Sequence, residues 1–178
     1  MFDTPIDAWY VWLGLSAASL VVLGVVTALP TAPVPNANGA AETVDRVAAG
    51  DYDTSASRDL AAQAVRVGPQ RLGLRNGAGA AHATFAYRVV PVRPDTALAR
   101  VLRGAPPADV FGSVAAFERA VTSARERESR WRPAGEFLLV RHVVWNGRDV
   151  TLVGTADGPA RADTDASAGI ANDAEVDR

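Results

Sequence analysis

The chain has 178 residues, a formal net charge of −2 and no cysteine, so its length allows one modest domain and its composition excludes disulfides and thiolate metal sites. All 18 basic residues are arginines, and residues 43–154 hold 16 of them against 7 Asp and 4 Glu, a net charge of +5. Residues 155–178 have the opposite sign, with 2 Arg against 5 Asp and 1 Glu, so a basic body is followed by an acidic tail.

An uncharged apolar stretch over residues 8–29 follows a short acidic N-terminus, residues 1–7. As a helix with a rise of about 1.5 Å per residue it would be roughly 33 Å long, close to the roughly 30 Å of hydrocarbon in a bilayer. The sequence therefore predicts a single transmembrane helix. A cleaved signal peptide is the first alternative, but it would begin with a basic region. A buried core helix is the second, but the remaining chain is too small to surround it.

Aromatic and small residues within this stretch predict how the helix would be placed. Aromatic rings prefer the headgroup region, so the first turns are predicted to lie at the membrane interface. The residues concerned are Trp9, Tyr10 and Trp12. Small residues recur along one side and predict close contact with another helix. These residues are Gly14, Ala18, Gly24 and Ala28.

Residues 30–41 contain three prolines and no charge, which predicts an extended, semi-rigid linker between the helix and the domain. The positive-inside rule decides little, because no Lys or Arg precedes the stretch and the first one after it is Arg46. On the strength of the spacer we expect the domain to face the outside of the cell membrane.

The first half of the domain, residues 42–154, has signals for one helix and several strands. Residues 42–49 have apolar side chains at helical spacing, and polar residues 51–58 indicate a loop. Short alternating runs over residues 64–75 are interrupted by Gly68-Pro69 and predict two strand segments. After the turn at residues 76–79, alternation over Ala83–Val89 predicts a half-buried strand.

Two helices and a hairpin follow in the second half. Asp95 is predicted to cap a helix that ends near Arg103, and Ser113 is predicted to cap the next. Charges of both signs over residues 119–130 indicate a solvated helix face rather than a nucleic-acid surface. Residues 137–153 predict a hairpin around Asn146-Gly147, the pair favoured in type I′ turns.

The hairpin register and the order of elements predict a fold. A two-residue turn places Val143 opposite Val150 and His142 opposite Thr151, and the apolar first arm is expected in the middle of a sheet. Strands, then helices, then strands indicate an α+β domain with one antiparallel sheet packed on two helices. The tail over residues 155–178 lacks bulky apolar residues and is predicted to be disordered.

No complete catalytic or ligand-binding motif is present in the sequence. His82 and His142 are the only imidazoles and lack metal-ligand spacing. The glycine-rich segment 77–81 precedes a predicted strand and lacks the third glycine of a dinucleotide loop. We therefore predict no enzyme activity, cofactor, metal site or small-molecule substrate.

The excess of arginine suggests the chemistry of a partner. Clustered guanidinium groups bind carboxylates and phosphates bidentately, so the basic domain could recognise an anionic ligand, a lipid headgroup or an acidic partner, whereas a dispersed set would be an ordinary solvated surface. The candidate anion-binding residues are Arg66, Arg71, Arg75, Arg88 and Arg141.

Three segments, MFDTPIDAWYVWLGL, RPDTALARVLRGAPP and VWNGRDVTLVG, resemble an uncharacterised family of small haloarchaeal single-span proteins. The resemblance covers most of residues 1–154 and implies no known activity. The layout of hydrophobic helix, spacer and strand-rich domain is also similar to pilin-like subunits of archaeal type IV filament and secretion systems. A processed pilin would have a basic residue and Gly before the helix, where this chain has Asp7-Ala8.

Two functional hypotheses follow. The first is a structural role: a membrane-anchored envelope protein, such as an accessory subunit of a pilus-like or secretion assembly, with the lipid bilayer and other helices or envelope proteins as partners. The second is a membrane-tethered binding or sensing module whose arginines recognise an anionic ligand or partner. Mixed charge on the predicted helix disfavours nucleic acid in both.

Overall fold

The structure of the chain is a computed structural model that describes residues 8–28 and 33–158, and within the first helix it describes side chains over residues 9–21. The chain divides into two compact units, residues 1–33 and residues 34–178. The elements, in chain order, are α1 (Ala8–Ala28), α2 (Ala37–Ala48), β1 (Thr54–Asp59), β2 (Ala64–Val67), β3 (Arg71–Asn76), β4 (Gly79–Thr84), β5 (Val90–Pro91), α3 (Ala97–Leu102), α4 (Pro107–Val110), α5 (Val114–Glu126), β6 (Arg132–Pro133), β7 (Phe137–Trp145) and β8 (Arg148–Ala156).

The first unit contains helix α1, where the sequence predicted a transmembrane helix. Among the residues that the structure describes, no helix is both long enough and apolar enough to cross a membrane. This finding overturns the transmembrane helix predicted over residues 8–29, together with the single-pass localisation and the outward-facing domain that depended on it.

The second unit contains two four-stranded sheets where the sequence predicted one. The central sheet has the order β1-β7-β8-β5, and the outer sheet has the order β4-β3-β2-β6. All strand pairs are antiparallel except β5 with β8, which is parallel. Strand β3 pairs with β2 and β4, and β2 also pairs with the edge strand β6. These four strands form their own sheet instead of extending the one that contains the hairpin.

The hairpin prediction is confirmed. Asn146 and Gly147 have φ values of 49° and 74°, as a type I′ turn requires. Val143 pairs with Val150 and His142 pairs with Thr151. Strand β7 lies between β1 and β8, the central position that its continuous apolar character predicted.

Helix α2 packs between the two sheets and includes the second half of the predicted proline-rich linker. Its N-terminus is capped by the side chain of Asn36, which accepts a hydrogen bond of 2.8 Å from the Gly39 amide. Small side chains let the helix approach both sheets closely; a Cβ at Gly39 would lie 2.7 Å from Nη2 of Arg58. One apolar core therefore joins α2 to Leu72 of the outer sheet and Leu138 of the central sheet.

The opposite face of the central sheet is covered by helices α3 to α5. Ser113 caps α5 by accepting a hydrogen bond of 3.2 Å from the Ala116 amide, as predicted. Phe117 and Val121, one helical turn apart, pack with Leu139 and Leu152 of the sheet. The central sheet is thus buried on both faces, whereas the outer sheet has one face on the core and one open to solvent.

The strand predicted over Ala83–Val89 is wrong after its first two residues. Strand β4 ends at Thr84, and the next amides bond elsewhere: Phe85 donates to the Gln70 carbonyl at 3.0 Å and Ala86 to the Asp45 carboxylate at 2.9 Å. These bonds turn the backbone away from the outer sheet. The alternation of apolar residues therefore has a different origin, with a buried Phe85 in a bend rather than in a strand.

Candidate functional site

The open face of the outer sheet collects three of the predicted arginines. The register places Arg66 of β2, Gly73 of β3 and His82 of β4 side by side. Arg71 and Arg75 lie two residues to either side of Gly73, and alternate residues of a strand point to the same face. We define the arginine face as Arg66, Arg71 and Arg75 together with His82 and Trp131.

Trp131 belongs to this face because Gly73 has no side chain. A Cβ at Gly73 would lie 2.9 Å from Cη2 of Trp131 and 3.1 Å from Nδ1 of His82. The indole contacts His82 edge-on with ring centroids 6.0 Å apart, and Cζ of Arg75 lies 5.1 Å from the indole centroid, a cation–π distance. The indole, the imidazole and a guanidinium thus form one continuous platform over the middle of β3.

A cleft of about 460 Å³ opens at one end of this platform. Its lining residues are Asn38, Arg66, Arg71, Leu72, Gly73, His82, Ala83 and Thr84. The Nε of Arg66 donates a 3.3 Å hydrogen bond to the hydroxyl of Ser129, which orients this guanidinium along the sheet. Guanidinium, amide, hydroxyl and imidazole groups together supply several hydrogen-bond donors for an oxyanion.

The arginines of this face carry positive charge without carboxylate partners. Ion pairs among the described residues join Arg130 to Glu128, Arg141 to Asp53 and Arg148 to Glu118. No described carboxylate lies within salt-bridge distance of Arg66, Arg71 or Arg75. Their guanidinium groups are therefore available to an anion from outside the domain.

Arg141, a fourth predicted candidate, is used within the fold. Its Nε and Nη2 bind the Asp53 carboxylate at 3.1 and 3.0 Å, and its Nη1 donates to the carbonyls of Val101 at 2.7 Å and Ala105 at 3.2 Å. The side chain is 12% exposed. Arg141 therefore joins β7 to the end of α3 and to the loop before β1, and its charge is already neutralised.

Arg88, the fifth candidate, lies away from the arginine face in the segment after β4. It is exposed and close to Arg125 of α5. Burial, followed by the positive charge of Arg88, lowers the pKa of Arg125 below its ordinary value, while Asp149 acts in the opposite direction. The structure thus brings together three of the five predicted arginines.

The residues predicted to lie at a membrane interface are exposed on α1: Trp9 at 53%, Tyr10 at 58% and Trp12 at 70%. The interfacial role predicted for them depended on the predicted span, and the structure does not test it separately. Gly14 and Ala18 lie on the same helix, and a Cβ at Gly14 would meet no atom within 4 Å. Gly24 and Ala28 fall outside the residues whose side chains are described, so helix packing through these four positions stays a prediction.

The two histidines have different surroundings. His142 is buried, and its Nδ1 lies 3.1 Å from the hydroxyl of Thr151 on the neighbouring strand. His82 is exposed on the arginine face. Within residues 8–28 and 33–158, no group of three or more His, Cys, Asp or Glu side chains is placed to hold a metal ion.

Sequence reasoning missed Trp131, His82 and Ser129 as members of this surface. Trp131 and Ser129 are more than 40 residues from the strands that they cover, so no local pattern connects them. The one available signal is the segment Arg71-Leu-Gly-Leu-Arg75, where a glycine stands between two arginines on one face of a strand. A glycine inside a strand often marks the close approach of another group.

The geometry defines a small two-sheet domain with an open, unneutralised arginine surface. A family profile matches residues 3–143, and the chain belongs to that family, a family of unknown function (DUF7283). The expectation that the chain is a member of an uncharacterised family is thereby confirmed. No curated protein and no solved structure matches the chain.

Proposed function

We propose that the domain over residues 34–158 is a binding module, not an enzyme, and that it recognises an anionic ligand or partner through the arginine face. One observation carries this proposal: Arg66, Arg71 and Arg75 share the open face of the outer sheet and have no carboxylate partner among the described residues. Maintaining three like charges on one surface is unfavourable unless an anion or solvent compensates them.

The side chains around the arginines narrow the class of ligand. Arg66 and Arg71 line the cleft together with Asn38 and Thr84, a set of donors suited to carboxylate or phosphate oxygens. Next to them, the platform of Trp131 and His82 offers ring surfaces to an apolar or planar part of the same ligand. The surface therefore suits a carboxylate- or phosphate-bearing molecule better than a neutral one.

Titration with inorganic phosphate and with citrate, followed by amide NMR of the full chain, tests the proposal. We expect shifts for the amides of residues 71–75 and for His82. Arg66→Gln and Arg71→Gln should each weaken binding by about tenfold, the loss typical of one charge-assisted hydrogen bond.

Arg119→Gln is the matched control, because it removes the same charge from an exposed position on α5, on the far side of the central sheet. It should change the affinity by less than about twofold. Equal losses of affinity in all three variants would mean that the anions bind through the net charge of the domain and not at the arginine face. Shifts confined to other surfaces would contradict the proposed site.

A role as a subunit of a larger assembly is the second candidate. The described side chains of α1 are exposed and mostly apolar, including Val11 at 69% and Leu13 at 60%. An exposed apolar helix is typical of an interaction surface. The layout similar to pilin-like subunits supports the same idea. Crosslinking in native extracts should then capture a partner through α1, and a strictly monomeric, partner-free protein would count against it.

A further inference from the structure

The edge strand β6 separates the arginine face from a second, differently built cleft. Extended residues alternate in direction, and Ser129 and Trp131 point to the arginine face, where they contact Arg66 and cover Gly73. Arg130 and Arg132, which alternate with them, line a cleft on the other side of the strand. One short segment thus contributes side chains to two separate surfaces.

This second cleft has a volume of about 310 Å³. Its walls are mainly apolar and come from β2, β5 and the chain that follows β5. The apolar lining residues are Val65, Val67, Pro91, Val92, Pro94 and Pro133. The polar lining comes from Arg130, Arg132, Asp95 and Thr155, with Gly154 at the base. An apolar cavity with a few converging polar groups is the usual form of a small-molecule site.

Positive charge is concentrated beside this cleft. Burial, followed by the guanidinium groups of Arg93 and Arg127, lowers the pKa of Arg132, and Asp95 acts in the opposite direction. The Nε of Arg93 is buried and has no hydrogen-bond partner. The carboxylate of Asp95 is thus opposed by the guanidinium groups of Arg93, Arg127 and Arg132, which leaves an excess of positive charge beside the cleft.

The charge of Arg132 is not neutralised by an ion pair. The described part of the chain contains no carboxylate within salt-bridge distance of Arg93, Arg127 or Arg132. Arg130 pairs with Glu128 at 2.8 Å, but both side chains are more than 70% exposed, so this pair is loosely held in solvent.

We propose that the cleft beside β6 binds a small organic carboxylate, with its charged group on Arg132 and its apolar part against Val67 and Pro91. The guanidinium of Arg132 supplies paired N–H donors for the two carboxylate oxygens. Arg93 and Arg127 add attractive potential. The apolar walls favour an organic body over a bare inorganic ion. This site is separate from the arginine face, since the two clefts share no lining residue, and it adds a second anion-binding site to the domain.

Benzoate and benzamide, titrated into the full chain and followed by amide NMR, form a matched pair of probes that differ in charge and hardly in shape. We expect benzoate to shift the amides of Val67, Val92 and Thr155, and benzamide to bind at least about tenfold more weakly. Arg132→Gln should reduce benzoate affinity to a similar extent. Arg132→Lys should retain more of it, because the charge remains while the bidentate geometry is lost.

Two further variants separate this site from the arginine face and from general charge effects. Arg71→Gln should leave the benzoate response of Val67, Val92 and Thr155 unchanged while it weakens phosphate binding at the arginine face, and Arg119→Gln should alter neither. Thermal melting by circular dichroism checks that each variant is folded. For the amides of Val67, Val92 and Thr155, an equal response to benzamide, an undiminished response in Arg132→Gln, or no response to benzoate would each overturn the proposal.

Discussion

Arg141 on the central sheet and Arg71 on the outer sheet are the same residue type in antiparallel strands, yet their surroundings differ completely. Arg141 is 12% exposed and makes four hydrogen bonds to Asp53, Val101 and Ala105. Arg71 is exposed and lines an open cleft. The comparison shows that the layer in which an arginine lies decides whether it holds the fold together or remains free to bind.

The physical cause is the number of covered faces. The central sheet is packed by α2 on one side and by α3 to α5 on the other, so a guanidinium there must replace its lost water with protein acceptors. The outer sheet is packed on one side only, and side chains on its other face keep their hydration. A charged group that keeps its hydration can exchange water for a ligand at little cost.

The largest expected effect comes from Arg141→Gln. This change removes the bidentate bond to Asp53 and leaves the carbonyls of Val101 and Ala105 without their donor. We expect the free energy of unfolding to fall by about 2–3 kcal/mol, the range for breaking a largely buried, hydrogen-bonded pair after allowing for the exposed side of Asp53. Urea denaturation of the variant and the unmodified chain measures this change in the free energy of unfolding.

Arg71→Gln, with the same loss of charge on the open face, is the control and should change unfolding by less than about 0.5 kcal/mol. Equal effects of the two changes would show that the distinction between the two sheets is not energetic. An Asp53→Asn variant completes a double-mutant cycle that isolates the contribution of the ion pair.

Gly73→Ala should have an intermediate effect and act through Trp131. The added Cβ would lie 2.9 Å from Cη2 of Trp131, so the indole must move off β3 and away from Arg75. We expect a stability loss of about 1 kcal/mol, the scale of one aromatic or cation–π contact, and a shift in tryptophan fluorescence.

Gly77→Ala provides the comparison for this change, since a Cβ at Gly77 meets no atom within 4 Å. It should leave both stability and fluorescence unaltered. If Gly73→Ala also left the fluorescence unchanged, the indole of Trp131 would not lie over Gly73 as the arginine face requires.

The smallest expected effect is a slight stabilisation by Arg132→Gln without ligand. A basic group whose pKa is lowered in the folded state is disfavoured there in its charged form, and this cost persists at every pH below that pKa. Replacing Arg132 by a neutral residue should therefore raise Tm slightly at neutral pH, and more at low than at high salt. A fall in Tm in low salt would argue against uncompensated charge beside this cleft.

Local signals predicted several elements correctly. Asn146-Gly147 specified the hairpin and its register, because only a few residue pairs accept positive φ in a two-residue turn. Ser113 specified the start of α5 through a hydrogen bond only three residues away. Such features depend on neighbours in sequence, so they can be predicted without knowledge of the fold.

Signals that depend on surroundings were misleading. The alternation of apolar residues after Ala83 is typical of a strand, but the Phe85 and Ala86 amides donate to Gln70 and Asp45 instead of to a neighbouring strand. The apolar residues 8–29 predict a membrane span, which the described part of the chain does not support. Mixed charge over residues 119–130 indicated one helix face, whereas α5 ends at Glu126 and Arg130 continues into an extended segment.

By itself, the sequence determined the turn, the Ser113 cap of α5, the basic character of the domain and the arginines that could bind an anion. The cap predicted at Asp95 is wrong, because Thr96 precedes α3 and makes no side-chain capping hydrogen bond. Only the tertiary structure decided which arginines are free, because that depends on sheet order and on carboxylates far away in the chain. Asp53 neutralises Arg141 across 88 positions, and Trp131 reaches Gly73 from the segment just before β6. Charge is a property of the residue, whereas its availability is a property of the contacts that folding creates.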